Sequence, residues 1–367
     1  MKVPSNEKAE FSMTHTGKRY DASALRQFAQ AIMQAAGFED DKAAVTARHL
    51  VDADMMGHDT HGLNLLVPYV DHAVSGGMEL GGDVEVIADR PAAITWDGRN
   101  LPGVWVTDRA VDVAIERART YGQAAIAIRR SHHIACLQTY LPKATDQGMM
   151  VLIASSDPHV ATVAPYGGRK PLYTPDPVAC GIPTDDDPIL IDISASITTN
   201  GMSGRLAAQG RQMDYVAYLD ADGEPTREPS VITADPPGSI LPLGGVDYGH
   251  KGYGLALMIE AMTQGLSGFG RSAMATGWGA SVYVQVMDPA AFAGGDAFNR
   301  ETGWLARACR DNPPRPGVER VRLPGERALA RMRDARENGV QLYPGIMDRL
   351  LTRARELDVA TPDGWTG

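Results

Sequence analysis

The chain has 367 residues, of which 44% are hydrophobic and 22% are charged. These values are ordinary for a globular protein and exclude a largely disordered chain. The formal net charge is −10, which disfavours binding to nucleic acid or to an anionic membrane, because their phosphate groups need lysine and arginine. We therefore expect neither nucleic acid nor a membrane as a partner.

Cysteine usage and the composition of the N-terminal segment give an expectation for the compartment. The three cysteines, Cys136, Cys180 and Cys309, form no CxxC pair and no zinc-type spacing. We expect each to be a structural thiol in a reducing, cytoplasmic compartment. The N-terminal segment MKVPSNEKAEFSMTHTGKRY lacks the apolar centre of a signal peptide. No apolar run is long enough to span a bilayer.

Two helices are predicted near the N-terminus. Residues 21–37 carry an apolar stripe at helical spacing, with Asp21 as the cap and Gly37 as the stop. A second helix is predicted over 40–57, because its apolar positions recur with the same period and Gly57 ends it. The chain then enters a short polar motif directly after the second helix.

Helices and strands alternate in the middle of the chain. An edge hairpin is predicted for residues 83–99. The next predicted elements are a helix (107–122), a strand (123–130), a helix (137–148), strands (149–156, 178–184 and 189–194), a helix (249–268) and a strand (280–288). Strand, helix and strand at this spacing predict an α/β fold.

Helices dominate both ends of the sequence and strands dominate its middle. We therefore predict a discontinuous helical domain built from residues 1–75 and 320–367. It would surround a central α/β domain over residues 76–319, in which 200–248 form a loop-rich subregion.

The motif GHDTHG, residues 57–62, is the first candidate for chemistry. A metal site would use His58, His61 and His133, but HxxH without a helical Glu beside it is a weak signal. A serine hydrolase would need a GxSxG elbow, which the sequence lacks. A proton donor needs less, namely one histidine held beside a reacting oxygen.

The proton-donor interpretation places His61 next to the substrate, with Thr60 orienting the ring and Asp192 holding it charged. Such a reaction needs a source of hydride, yet neither GxGxxG nor a P-loop is present. Glycine-rich segments such as PLGGVDYGHKGYG permit close backbone approach, and Lys251 at a helix start is suited to phosphate. The residues alone therefore leave the cofactor open.

Six segments in order carry a resemblance over nearly the whole chain. They are ADMMGHDTHGLNLLVPYV, RRSHHI, VAPYGGRKPLYTPDP, LIDISAS, GHKGYG and LPGER. Together they resemble the malate/L-lactate dehydrogenase family of the second type, and most closely its hydroxycarboxylate dehydrogenase B branch. The resemblance implies an α/β, non-Rossmann, mixed-sheet NAD(P)-binding domain of the L-sulfolactate dehydrogenase-like fold. It also implies a homodimer that interconverts a small-molecule 2-hydroxy acid and a 2-oxo acid.

The resemblance assigns roles to individual residues, with no metal among them. Its catalytic residues are His61 as proton donor, Thr60, Asp192 and His133. Its substrate-binding residues are Tyr69, Leu65 and Ser155. Its cofactor-binding residues, for NAD or NADP, are Pro188, Ile189, Leu190, Ile191, Asp192, Ile193, Ser194, His250, Lys251, Gly325, Glu326 and Arg327.

The sequence departs from the family pattern at the expected carboxylate site. Leu65 stands where most members have an arginine, and a leucine cannot form a bidentate pair with a carboxylate. Either another cation takes the carboxylate or the substrate is bulkier there. Asp176 replaces a usual asparagine, and Met202 stands where many members have lysine.

Three alternative functions stay open. One is a reductase of cyclic imino acids, in which C=N replaces C=O. Another is a metal-dependent hydrolase that uses the three histidines named above. The last is a binding protein without turnover, given Leu65.

Overall fold

The computed structural model describes residues 17–365. The first sixteen residues of the N-terminal segment MKVPSNEKAEFSMTHTGKRY lie outside this range. The helices are α1 (Ala22–Ala35), α2 (Asp40–Met56), α3 (Leu66–Val74), α4 (Gly103–Tyr121), α5 (Pro142–Thr145), α6 (Asn200–Ala208), α7 (Gly245–Glu260), α8 (Gly295–Arg310), α9 (Glu326–Asn338) and α10 (Ile346–Glu356).

The strands belong to three sheets. They are β1 (Arg19–Tyr20), β2 (Glu85–Arg90), β3 (Ala93–Asp97), β4 (Gln123–Ser131), β5 (Met150–Ser156), β6 (Pro177–Ile182), β7 (Ile189–Ser194), β8 (Tyr218–Leu219), β9 (Pro225–Thr226), β10 (Ser239–Ile240), β11 (Ala280–Met287) and β12 (Val340–Gln341). The largest sheet has the order β2-β3-β4-β11-β5-β6-β7.

That seven-stranded sheet is mixed, which confirms the predicted α/β, mixed-sheet architecture. Only β3 and β4 pair in parallel, and α4 forms the crossover between them. The other neighbours pair antiparallel. Strand β11 comes late in the sequence but lies between β4 and β5, so it is buried along most of its length. The sheet edge formed by β7 stays partly exposed.

The helices of both chain ends pack together. Helix α2 contacts α9, and α10 contacts α1 and α3. Strands β1 and β12 pair antiparallel, with Arg19 opposite Gln341. One buried apolar cluster joins these helices to α4 and the sheet. The domain boundaries after residues 75 and 319 stay a prediction.

Local signals fix the first two helices as predicted. The Asp21 carboxylate accepts a hydrogen bond from the Ala24 N–H at 2.8 Å and caps α1. Gly57 ends α2 at φ 88°, a left-handed conformation that glycine adopts without steric cost. This turn directs the chain into the polar motif.

Two parts of the chain differ from the prediction. Residues 137–148 contain a 3-10 turn and only the four-residue helix α5, because Pro142 has no N–H to continue a helix from the preceding turn. The region 200–248 is more ordered than expected. It begins with α6, whose start is capped by the Thr199 hydroxyl, and it contains the small sheet β10-β8-β9.

Within residues 17–365, no helix combines the length and apolar character required to cross a membrane.

Candidate active site

The polar motif forms a tight turn after α2. The His58 N–H donates to Ala53 O and the His61 N–H donates to His58 O, each at 2.8 Å. The carboxylate of Asp54 reaches from α2 and accepts the Leu63 N–H at 2.8 Å. These hydrogen bonds hold the turn at both ends, and they set the backbone positions from which the His58 and His61 side chains project.

His61 lies against Thr60 as predicted. The Thr60 Oγ1 and His61 Nδ1 atoms are 2.8 Å apart, so one ring nitrogen is engaged. Burial, together with the positive charges of His58 and Arg205, lowers the pKa of His61 to about 4. His61 is consequently neutral at neutral pH, with Nε2 left for chemistry.

His133 lies beside His61. The two ring centroids are 5.9 Å apart and the planes are inclined by 26°. The Tyr69 hydroxyl lies 2.7 Å from His133 Nδ1, and the Ala135 N–H donates to the same nitrogen at 3.3 Å. An Nδ1 that accepts from a backbone N–H carries no proton, so the proton of the neutral ring is on Nε2. Burial and, to a smaller extent, the neighbouring His61 together lower the pKa of His133 to about 3.

Aromatic rings pack against His133. The Trp278 ring centroid lies 5.2 Å from that of His133 and 5.4 Å from that of Tyr69. The neighbouring His132 is buried and has its Nε2 2.9 Å from His72 Nδ1. The rings lower the polarity around His133, which favours its neutral form.

Asp192 does not orient His61, which corrects the predicted relay. Its Oδ2 accepts the Gln138 N–H at 3.0 Å and lies 3.8 Å from Cys136 Sγ. Side chains alternate along a strand, and β7 presents Asp192 to the 3-10 turn that contains Gln138. That same turn holds His58, whose Nε2 lies 2.8 Å from Gln138 Oε1.

His58 and Asp192 thus form a second cluster with Cys136. Interaction with Cys136 raises the pKa of His58 to about 10 against the opposing effect of burial, and Asp192 contributes to the increase. Burial raises the pKa of Asp192, although His58 and the Gln138 N–H oppose that change. His58 is therefore positively charged at neutral pH.

The residues that could bind a metal are not the three histidines that the hydrolase hypothesis requires. Within the described residues, one His58 nitrogen, Cys136 Sγ and one Asp192 oxygen lie within 4.8 Å of one another. These donor types suit zinc. The set excludes His61 and His133, which the hydrolase hypothesis combined with His58.

The other predicted substrate residues lie at different depths. Leu65 is half-buried and packs against the main apolar cluster. Ser155 is buried in β5, opposite Val282 of β11. Within residues 17–365, neither side chain makes a polar contact with His61 or His133, so their roles stay predictions.

The predicted cofactor segments meet around β7. The Leu190 N–H donates to Pro324 O at 3.1 Å, which brings residues 325–327 against the strand that follows Pro188. Gly325 packs so closely on Leu190 that a Cβ would lie 2.7 Å from the Leu190 Cβ. Glu326 accepts from Arg310 Nε at 2.6 Å and from Arg320 at 3.2 Å.

The start of α7 follows the end of the same strand, because the Leu243 N–H donates to Ala195 O at 2.8 Å. Its N-cap Gly244 has φ 102° and provides no side-chain cap. His250 and Lys251 are exposed on the first turns. An uncapped helix N-terminus with nearby cations suits a phosphate, so these residues fit a dinucleotide.

Sequence reasoning missed several residues around His61. Arg205 on α6 pairs with Asp59 at 2.8 Å, Arg349 on α10 donates to Asn64 at 2.6 Å, and Trp278 covers His133. The first two pairs join residues 146 and 285 positions apart. Pairs between such distant residues leave no local sequence pattern. Arg205, however, lies on the same helix as Met202, where many family members have lysine, and this could have indicated a positive charge near the site.

Comparison with known proteins supports one family. The model of the malate/L-lactate dehydrogenase family matches residues 20–351. The chain is 31% identical to an L-lactate dehydrogenase of Cupriavidus necator, over 93% of this chain and 98% of that protein. It is 33% identical to a (2R)-3-sulfolactate dehydrogenase (NADP(+)) of Chromohalobacter salexigens, over 88% and 94%. It is 28% identical to hydroxycarboxylate dehydrogenase B of Escherichia coli, over 93% and 95%.

The fold has a counterpart among solved structures. Malate dehydrogenase from Entamoeba histolytica superposes with a TM-score of 0.88 at 23% identity, over 94% of this chain and 99% of that one. At that identity the likeness concerns the fold alone. The family match and the C. necator relative concern the chain itself. This chain belongs to the malate/L-lactate dehydrogenase family, and so to the dehydrogenases that act on a CH–OH group.

Proposed function

We propose that the chain is an NAD(P)-dependent oxidoreductase that interconverts a 2-hydroxy acid and a 2-oxo acid, with His61 as the acid–base group. One observation carries this proposal. Two neutral imidazoles, His61 and His133, lie side by side, and each has its Nδ1 engaged, by Thr60 and by Tyr69 respectively. Their Nε2 atoms are then available to one small substrate.

In the oxidation direction His61 acts as a base. Its Nδ1–H donates to Thr60 Oγ1, which leaves the Nε2 lone pair to accept the proton of the substrate hydroxyl. Because the pKa of His61 is about 4, the ring is already neutral at neutral pH. In the reduction direction the neutral ring takes up a proton from solvent and passes it from Nε2 to the oxygen that gains the hydride's negative charge.

His133 has a complementary role as a hydrogen-bond donor. The Ala135 N–H and the Tyr69 hydroxyl hold its Nδ1, so the Nε2–H is fixed for donation to a substrate oxygen. A donor aimed at oxygen stabilises the charge that develops there during reaction. A bound nicotinamide would supply the acceptor or source of hydride, and β7, α7 and α9 carry the residues that we expect to hold it.

Absorbance of NADH or NADPH tests the proposal. The purified chain is mixed with either cofactor and with 2-oxo acids of increasing size or with cyclic imines. We expect loss of absorbance with at least one 2-oxo acid, and comparison of the cofactors decides between NAD and NADP. Oxidation with imines alone would favour an imino-acid reductase. No oxidation with any compound would contradict the proposal.

We also propose that the chain works as a homodimer. The exposed face of α7 and the segment after it carry apolar side chains, with Leu257 51% exposed, Met258 48% and Leu266 60%. Contiguous apolar surface of this kind favours association. Light scattering after gel filtration should give twice the chain mass. Leu257→Asp with Met258→Asp should reduce it to one chain mass, whereas the control Val74→Asp should not.

The cysteines support a proposal about the compartment. Cys136 is buried, Cys180 and Cys309 are partly buried, and all three are free thiols. We propose a reducing, cytoplasmic setting. Loss of activity of the purified chain on mild oxidation would agree with it, and full activity only after oxidation would contradict it.

A further inference from the structure

A cavity of about 460 Å³ opens beside the acid–base pair. Residues Thr60, Asn64, Gly201, Arg205, Tyr343 and Arg349 line it. They come from the polar turn, from α6 and from the segment around α10, so the cavity forms only when the two chain ends meet.

The cavity lies next to the turn that carries His61, because Thr60 and Gly201 line it. A Cβ built on Gly201 would lie 3.5 Å from Thr60 Cβ and 4.0 Å from His61 Cε1. Because Gly201 has no side chain, the wall between α6 and the imidazole stays open. A molecule in the cavity can therefore approach the ring that exchanges the proton.

Two arginines give this cavity positive charge, but only one is balanced. Arg205 Nη1 pairs with Asp59 Oδ1 at 2.8 Å, and its guanidinium carbon lies 4.0 Å from the centroid of the Tyr343 ring. The Arg205 side chain is only 10% exposed. Its charge is thus compensated and its position fixed.

Arg349 has only neutral partners within residues 17–365. Its Nη2 donates to Asn64 Oδ1 at 2.6 Å, and its Nε donates to Gly345 O at 3.4 Å. No carboxylate of the described residues forms an ion pair with it. Its guanidinium keeps an unmatched charge and free N–H groups, and Asn64 holds it at the cavity.

The position next to Asn64 provides no cation. Leu65 is apolar and packs against the core. A carboxylate placed near His61 without a partner would be costly, because an ion removed from water needs a counter-charge. Arginine is the side chain that best matches a carboxylate, through two parallel hydrogen bonds.

We propose that this cavity is the carboxylate subsite and that Arg349 binds the carboxylate of the 2-hydroxy or 2-oxo acid. The Arg205–Asp59 pair forms its fixed opposite wall. The inference rests on the proposed function, since it names the ligand chemistry of the same site. According to this inference, Arg349 on α10 recognises the carboxylate of the substrate.

Steady-state kinetics with the preferred 2-oxo acid and with its uncharged primary amide tests the inference. Arg349→Ala should raise the KM for the acid by about 10- to 100-fold, the range expected for hydrogen bonds to a charged group, and should change kcat less. Arg349→Lys should recover part of the loss. The KM for the amide should not change. Arg355→Ala, an exposed arginine on the same helix, is the matched control.

An unchanged KM for the acid in Arg349→Ala, or equal increases for acid and amide, would overturn the inference. Calorimetric titration with oxamate, a small carboxylate, separates this failure from failure of the proposed function. If the wild type turns over no 2-oxo acid yet binds oxamate, and Arg349→Ala does not, then the subsite stands and the dehydrogenase proposal falls. If the wild type binds no oxamate and has no turnover, both fall.

Discussion

His58 and His61 occupy the same turn, yet their surroundings drive their charges in opposite directions. Cys136, Asp192 and Gln138 surround His58 and raise its pKa to about 10. Burial beside His58 and Arg205 lowers the pKa of His61 to about 4. We propose that this short motif supplies two functions. One histidine is a cation held by Cys136, Asp192 and Gln138, and the other is a neutral group suited to exchange a proton.

Among the variants considered, we expect His61→Asn to have the largest effect on turnover. We expect kcat to fall by about 10²- to 10⁴-fold, the usual contribution of a positioned acid–base group. The melting temperature should change little. His159→Asn is the control, because that ring is held by Asp157 through its Nδ1 at 2.7 Å. A similar loss in the control would mean that general destabilisation, rather than proton transfer, explains the result.

A smaller loss is expected when the hydroxyl that holds His61 is removed. Thr60→Val preserves the shape of the side chain but deletes the partner of His61 Nδ1. One neutral hydrogen bond contributes about 1 kcal/mol, so kcat/KM should fall about fivefold. Thr60→Ser keeps the hydroxyl and should stay near the wild-type value. Equal activity of the valine and serine variants would remove Thr60 from the mechanism.

The pH dependence distinguishes the neighbours of His61 from those of His58. For oxidation, kcat/KM should fall at low pH as His61 of the free enzyme gains a proton, with an apparent pKa of about 4. Arg205→Gln removes a positive charge that lowers this pKa, so the acid limb should move to higher pH. Asp192→Asn should leave the limb in place, because Asp192 lies at the other cluster. A limb that moves with Asp192 instead would restore the predicted relay.

A further prediction concerns the pH dependence of stability, whose sign differs between the two histidines. The folded-state pKa of His58 is raised from 6.5 to about 10. Its stabilisation is therefore complete below pH 6.5 and disappears as the pH rises towards 10. The excess free energy of unfolding of wild type over His58→Asn should shrink across that window.

His61 has the opposite linkage. Its folded-state pKa is lowered from 6.5 to about 4, so the unfolded chain takes up the proton more readily and the wild type loses stability as the pH falls from 6.5 to 4. His61→Asn should remove that loss. Urea unfolding of both variants at several pH values provides the measurement. Parallel pH profiles for the two variants would show that the charges are not opposed.

The elements that the sequence predicted are those set by local rules. Asp21 and Gly57 bound α1 and α2 because capping depends on a few adjacent residues. The succession of α4, β4 and β5 along the chain was likewise visible in the apolar pattern. The antiparallel place of β11 between β4 and β5 was not, because strand order depends on contacts between distant segments.

In the candidate site, too, contacts between adjacent residues were predicted, whereas contacts between distant segments were not. The Thr60–His61 pair joins adjacent residues, and the resemblance suggested Tyr69 and His133. The partner of Asp192 was predicted wrongly, because the orientation of β7 relative to the 3-10 turn decides it. Arg349 was missed altogether, since it reaches Asn64 from the other end of the chain.

The most direct test of the account is a comparison of wild type and His61→Asn in one assay that follows NADH or NADPH with the preferred 2-oxo acid, beside a titration of cofactor binding. We expect the variant to bind cofactor as tightly as wild type and to turn over at least about 100-fold more slowly. A variant that binds cofactor and keeps the wild-type rate would contradict the assignment of His61 as the acid–base group.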